Sequence, residues 1–470
     1  MLFNSFDFAR LVLVTFALYY LPFMAKRQVI ILILSSLLFY ASSQPVLVIL
    51  LVSSATVNCL TSYFVVHGKV HYQKAFAIVG VMANLFILAF FKYSPLVANT
   101  FFQSSDSIGH FLLSIPLPVG ISFYTFQGIS LVMDVFKGKY TSRTDTVAHS
   151  FLKHCRNTLF FISFFPQLVA GPIVKAHEFL PQITKKSLRN IDWETCFKNL
   201  VMGYFLKMVI ADNLKDFTFW IMYPYFQQLS SLTLLVMLFG YSIQIFADFA
   251  GYSLIAIGIA GLFGYQLKMN FNFPYIATSF SEFWKRWHIS LSSFLKEYLY
   301  IPLGGNRKGP FQTYLNLLIT MLLGGLWHGA AWSYAVWGCF HGLALAIERI
   351  LTSWFTLRSS KAVQFFKGIL IFCLVTWAWL LFKLPQFEHV MAYMHTIRSN
   401  WMVEDHYKII TYCLLYSLPV IAYHIAYLLK EHSPLKYQQM IRFDYSVYGF
   451  LLFMIFTNSG TTGAFIYFQF

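Results

Sequence analysis

The chain has 470 residues, of which 58% are hydrophobic and only 11% charged, a balance that excludes an ordinary soluble multidomain protein. Its formal net charge of +16 is scattered as short Lys/Arg clusters between apolar runs, with no basic arm or long basic helix, so the clusters are topology signals and nucleic acid is not an expected partner. Apolar runs able to cross a hydrocarbon core of about 30 Å recur from end to end, which predicts an all-α polytopic membrane protein with one integral membrane domain over residues 1–470.

Residues 11–21 follow a lone Arg10 without a small-residue cleavage site, so they are an uncleaved first span and not a signal peptide. Lys26 and Arg27 hold the next loop in the cytoplasm and put the N-terminus outside. A second run, 29–42, exits at Ser43-Gln44-Pro45, and a third returns to the basic loop at His67, Lys69, His71 and Lys74. A fourth leaves by Lys92, with Ser94-Pro95 as the expected break. Over 112–136, Pro116, Pro118 and Gly120 delay the helix start, and Ser122, Thr125 and Gln127 place polar groups among aromatic ones. Such broken segments survive in a bilayer only where protein or a cavity satisfies the backbone. The stretch 137–156, with Lys137, Lys139, Arg143, Lys153 and Arg156, is cytoplasmic, and Pro166-Gln-Leu-Val-Ala170-Gly-Pro172 is a re-entrant or interfacial stop.

Lys185 to Arg189 is a second basic connection, leading to the run 200–210 and its polar end Ala211-Asp212-Asn213. Residues 232–262 exceed one untilted span and contain Asp248, which is expected to be buried and paired with a lysine or arginine. Asn270 to Pro274 ends that region, and 281–300 is an amphipathic stretch with Lys285, Arg286, His288, Lys296 and Glu297. The glycine-rich basic turn 303–310 is cytoplasmic. Two apolar runs over 313–350 then flank an expected turn, Gly324-Gly-Leu-Trp-His328-Gly329, with His341 beyond it. Lys361 and Lys367 begin another span, the loop 385–406 falls outside, 430–442 is basic and inside, and 445–458 is the last span, leaving the C-terminus outside. The pattern sums to roughly 11 spans plus re-entrant pieces. No internal repeat supports a transporter built of inverted halves.

Ionisable groups at membrane depth are costly and mark functional sites. His328 and His288 stand out because each is embedded in aromatic and glycine residues. A neutral imidazole in a confined site of low dielectric can take the proton of a hydroxyl while that hydroxyl attacks an acyl group, and a neighbouring donor can stabilise the oxyanion. Lys285, Arg286, Lys296, Arg307 and Lys308 form a basic cluster suited to the phosphates of a coenzyme, although the positive-inside pattern alone also accounts for them. The six cysteines are far apart with no Cys/His ligand spacing, so neither a disulfide framework nor a metal site is expected. No P-loop or nucleophile-elbow signature is present.

The segments 283–290, 298–307, 324–329, 166–172 and 244–253, with the start Met1-Leu-Phe-Asn-Ser5 and the end 465–470, resemble the membrane-bound O-acyltransferase (MBOAT) family along the whole chain. The resemblance is to its bacterial branch of alginate and peptidoglycan O-acetylation membrane subunits and D-alanyl teichoic acid transferases. It implies a ring of helices around a central tunnel, with the acyl donor entering from the cytoplasm and the acceptor from outside. His328 matches the family's catalytic histidine and His288 the second histidine of the branch. Asn306, Arg307, Trp327 and Asp248 fall in matching motifs as structural or donor-positioning residues, and His341 sits in a recurrent Trp-Gly-x-x-His-Gly context. The implied chemistry is acetyl transfer from acetyl-CoA, a donor substrate with no permanently bound cofactor, toward an envelope polysaccharide. A separate periplasmic or extracellular acetyltransferase partner completes delivery, and the implied location is the bacterial inner membrane, among membrane lipid. D-alanyl transfer, a long-chain acyl group, and a transporter of acyl or polysaccharide precursors stay open as alternatives.

Overall fold

The computed structural model describes residues 1–102, 106–138, 147–169, 171–354, 360–432 and 444–463. Lys139, Arg143, Ala170, residues 433–442 of the last basic connection and the terminal segment 465–470 lie outside the described residues. Among the described residues every regular element is a helix. Six helices are long and apolar enough to cross a bilayer: Pro45–His67, Val70–Phe101, Ser231–Leu262, Trp332–Trp354, Lys361–Lys383 and Tyr407–Glu431. Gln28–Ala41 and Tyr445–Thr457 are shorter apolar helices. Several other runs that hydropathy alone reads as spans are short or interrupted. The first helix, Phe6–Tyr20, has 15 residues, and the run 200–210 is divided between the α-helix Trp193–Tyr204 and the π-helical turn Phe205–Ala211.

The chain forms two compact units, Met1–Leu200 with Leu254–Lys268, and Val201–Ser253 with Met269–Phe470. In the first, the helix Gln73–Phe101 runs through Pro95, so the expected break at Ser94-Pro95 is displaced to Phe102. Proline removes one helical N–H, here the one that would meet the Phe91 carbonyl, and the helix nevertheless continues to Phe101, with Ser94 Oγ donating to the neighbouring Phe90 carbonyl. Lys92 is correspondingly not at a water-facing exit. It is buried, and its Nζ donates to Ser122 Oγ at 3.1 Å.

The delayed helix over 112–136 is present as Ile121–Lys137, entered through Gly120 at φ 76°, a left-handed conformation that glycine adopts without steric cost. Gly128 in that helix faces a reciprocal amide pair, Asn58 with Asn84 at 2.7 and 3.2 Å, and a Cβ there would stand 2.4 Å from Asn58 Nδ2. Interhelical amide bonds of this kind hold membrane helices together where no hydrophobic force distinguishes helix from lipid. The proline-rich stop becomes a short buried helix, Phe165–Leu168, after the helix Phe151–Ser163. Cys59 and Cys155, far apart in sequence, bring their free thiols to 2.8 Å.

In the second unit the helices Pro310–His328 and Trp332–Trp354 form a close hairpin. The expected turn at 324–329 is mostly helical, and the chain leaves the helix only at Gly329. Gly325 serves the approach of the two helices, not a bend, whereas a Cβ on Gly324 would meet Leu295 Cδ1 at 2.9 Å. A Cβ on Gly325 would lie 2.2 Å from the Tyr334 carbonyl oxygen, and one on Gly338 would lie 2.3 Å from that of Met321. Small residues let membrane helices approach until backbone meets backbone. That contact fixes where the end of the first helix, His328, comes to rest.

Candidate active site

His328 is the last residue of its helix and is 3% exposed; His288, between the short helices Phe280–Arg286 and Ile289–Leu295, is fully buried. Forty positions apart in sequence (328 − 288 = 40), their ring centroids are 6.0 Å apart. Trp327, Trp337 and Phe382 stand 5.1, 5.3 and 5.2 Å from the His328 ring, and Phe249 stands edge-on at 4.6 Å from that of His288. Aromatic walls of this density exclude water and lower the local dielectric, which strengthens any electrostatic contact to a reacting group. Gly329 is required at the exit because a Cβ would strike the Tyr334 ring at 2.2 Å.

The amphipathic stretch expected over 281–300 is broken at His288, whose φ of 43° is left-handed. A non-glycine residue held there is strained, and strain of that kind is retained where the surroundings over-determine it. Asn270 does so, accepting the Ile289 N–H on its carbonyl at 2.9 Å and meeting His288 Nδ1 with its side-chain oxygen at 3.1 Å.

His341 is fully buried, in a cage of Phe280, Phe283, Trp284, Trp337 and Phe340, and neither ring nitrogen has a hydrogen-bond partner among the described residues. Trp337 stands between it and His328, at centroid distances of 4.7 and 5.3 Å.

Asp248 is buried and paired, as its position in an apolar helix led one to expect. Lys207 Nζ lies 2.7 Å from Asp248 Oδ1 and 2.7 Å from Asp212 Oδ1. Lys207 rides on the π-helical turn, which packs against Gly251; a Cβ on Gly251 would lie 2.9 Å from the Lys207 amide nitrogen. The basic cluster is less unified than its sequence suggests. Arg286 is bound to Glu282 at 2.9 Å and to the Asn272 carbonyl at 3.1 Å. Lys285, Arg307 and Lys308 are exposed, and Asn306 accepts a hydrogen bond from the Tyr300 hydroxyl. The glycine-rich loop is tied to the histidine helix by Asn316, whose amide donates to the Gly305 carbonyl at 3.0 Å. No group of three or more His, Cys, Asp or Glu side chains among the described residues is placed to hold a metal. Asn270 and Lys207 are the two site residues that sequence reasoning missed. Lys207 had a signal, a lone lysine inside an apolar run, whereas Asn270 had none beyond its place at a helix break.

The sequence profile of the MBOAT, membrane-bound O-acyltransferase family matches residues 107–390, more than half of the chain. The chain belongs to the membrane-bound O-acyltransferase family. With its apolar helices, this makes it a multi-pass membrane protein. Among its relatives within this family are a probable alginate O-acetylase AlgI of Pseudomonas aeruginosa, 38% identical over 313 residues, and a peptidoglycan O-acetyltransferase of Helicobacter pylori, 37% identical over 358 residues. These alignments cover 65% and 70% of this chain, and 57% and 67% of the respective relatives. A teichoic acid D-alanyltransferase of Bacillus subtilis is more distant, at 26% identity over 289 residues, 58% of this chain and 70% of the relative. The chain thus spans roughly six-tenths of the length of the first two relatives it matches.

Proposed function

We propose that this protein is a membrane O-acetyltransferase that carries acetyl from cytoplasmic acetyl-CoA toward a cell-envelope polysaccharide of the alginate or peptidoglycan kind. The observation that carries the proposal is the buried pair of imidazoles, 6.0 Å apart between aromatic walls, in a chain related to O-acetylation proteins. In this reading His328, assisted by His288, takes the proton of the acceptor hydroxyl as its oxygen attacks the thioester carbonyl. The new C–O ester bond forms, the C–S bond breaks, and the departing thiolate takes up a proton. An acyl relay through His328 itself would use the same pair.

Arg307, Lys285 and Asn306 are assigned to the donor's phosphates on the cytoplasmic side, and Trp327 and His341 to the walls of the acyl path. Arg286 and Asp248 commit their charges to Glu282 and Lys207, and the proposal gives them a scaffold role. The same reading includes one membrane domain over residues 1–470, a ring of roughly 11 spans around a tunnel, both termini outside, the inner membrane as location, and a periplasmic or extracellular acetyltransferase as partner.

The test is transfer of labelled acetyl from acetyl-CoA by purified protein in lipid with its envelope fraction, beside D-alanine loaded on a carrier protein. Label transferred from acetyl-CoA alone supports the proposal. Transfer of D-alanine alone replaces the donor, and transport of an intact precursor without cleavage overturns the enzyme reading.

A further inference from the structure

Asn270 does more than close the turn at His288. Its side-chain oxygen lies 3.2 Å from the Ser290 backbone nitrogen, 2.9 Å from Ser290 Oγ and 3.1 Å from His288 Nδ1. Its amide nitrogen faces Ser253 Oγ at 3.3 Å. Oxygen and nitrogen of an amide are alike in shape, so their assignment has to come from chemistry. The Ser290 backbone N–H can only donate, so the atom it meets must be the acceptor, the amide oxygen. That oxygen has no hydrogen to give, and the imidazole nitrogen facing it must therefore carry one.

We infer that Asn270 is a positioning residue that holds His288 as the Nδ1–H tautomer, leaving the lone pair on Nε2 and making His288 a proton acceptor toward the reacting groups. The backbone contributes to the same end. The Asn270 carbonyl takes the Ile289 N–H at 2.9 Å, so the residue grips both sides of the left-handed position and fixes the ring as well as its tautomer. An imidazole that enters the reaction with a lone pair at Nε2 is a base, and cannot donate from that atom to an oxyanion until it has been protonated. This ranks His288 with the proton-accepting side of the proposed transfer and leaves oxyanion stabilisation to other donors. Ser253 secures the amide from its far side, so that rotation of Asn270 would break contacts at both ends.

For its activity arm this inference rests on the proposed acyl transfer; its structural arm does not. Protein labelled with nitrogen-15 at histidine, in lipid bilayers, is measured by solid-state NMR, with the His288 signals identified by difference from His288→Gln. The expected wild-type spectrum shows a protonated Nδ1 and an unprotonated Nε2. Asn270→Asp, which keeps an acceptor oxygen, retains that pattern and most of the transfer rate. Asn270→Ala mixes the tautomers and lowers transfer on the order of 10²-fold, the scale of a misplaced general base, with its thermal unfolding midpoint close to that of wild type. A wild-type His288 protonated at Nε2 overturns the inference, as does a folded Asn270→Ala with unchanged tautomer and rate. If Asn270→Ala does not fold, the wild-type spectrum still decides. A correct tautomer in a protein that transfers no acyl group supports the role of Asn270 and sinks the functional reading.

Discussion

Lys207, Asp212 and Asp248 are buried together, the lysine 2.7 Å from each carboxyl group, whereas His288 and His328 are buried among Phe249, Trp327, Trp337 and Phe382. Both clusters lie in the second unit, and both put titratable groups where water does not reach. The difference lies in what occupies the groups. In the ionic cluster one lysine is shared by two carboxylates, so its charge is committed within the protein. In the imidazole cluster one ring nitrogen of His288 is held by Asn270, and the rings around the pair are aromatic. In the proposed function the first cluster builds the scaffold and the second does the chemistry.

Breaking the ionic cluster should give the largest change in stability. Lys207→Met leaves two buried carboxylates without their cation and is expected to cost about 3–5 kcal/mol, read as a lower unfolding midpoint and folded yield in detergent. Combining it with Asp212→Asn and Asp248→Asn should recover most of the loss, since the uncompensated charge is then gone. If Lys207→Met kept its midpoint and lost transfer per folded molecule, the triad would belong to the chemistry and the comparison would fail.

A change at the hairpin sharpens the comparison from the imidazole side. Gly325→Ala drives a methyl group into the Tyr334 carbonyl oxygen, 2.2 Å away, and should cost about 1–3 kcal/mol. Because that contact sets the resting place of His328, the transfer rate per folded molecule should fall as well. Calorimetry and rate measured on one preparation separate the two effects.

The smallest effect is expected at the half-exposed pair of Glu282 and Arg286. Burial pushes the Glu282 carboxyl up, but the Thr278 backbone and hydroxyl donors with Arg286 outweigh it and hold the carboxyl below its usual range. A folded-state value below the unfolded one stabilises above the ordinary carboxylate range, and that contribution is lost as pH falls through the folded value. Glu282→Gln should therefore cost less than about 1 kcal/mol at neutral pH, and the difference from wild type should vanish on acidification in a pH series of unfolding midpoints.

Much of the architecture was legible where one residue type has one physical use. Gly120 announced the late helix start, and Asp248 in an apolar helix announced a cationic partner. The two histidines shared an aromatic context before any geometry brought them together. What the sequence hid is long-range. Nothing in local periodicity pairs Asn270 with His288, Lys207 with Asp248, or Cys59 with Cys155. Gly325 misled because glycine signals both a turn and a close helix contact, and only the facing Tyr334 and Gly338 decide between them. Pro95 misled likewise, because a proline that ends a helix in water can sit inside one in a membrane.

The most direct test compares wild type and His328→Gln for the rate of thiol release from acetyl-CoA in the presence of envelope acceptor, per folded molecule, beside the unfolding midpoint of each. The account predicts a loss of about 10²–10⁴-fold with the midpoint essentially unmoved. A folded His328→Gln that releases thiol and passes acetyl on at the wild-type rate would contradict it, and would remove the imidazole pair from the centre of the chemistry.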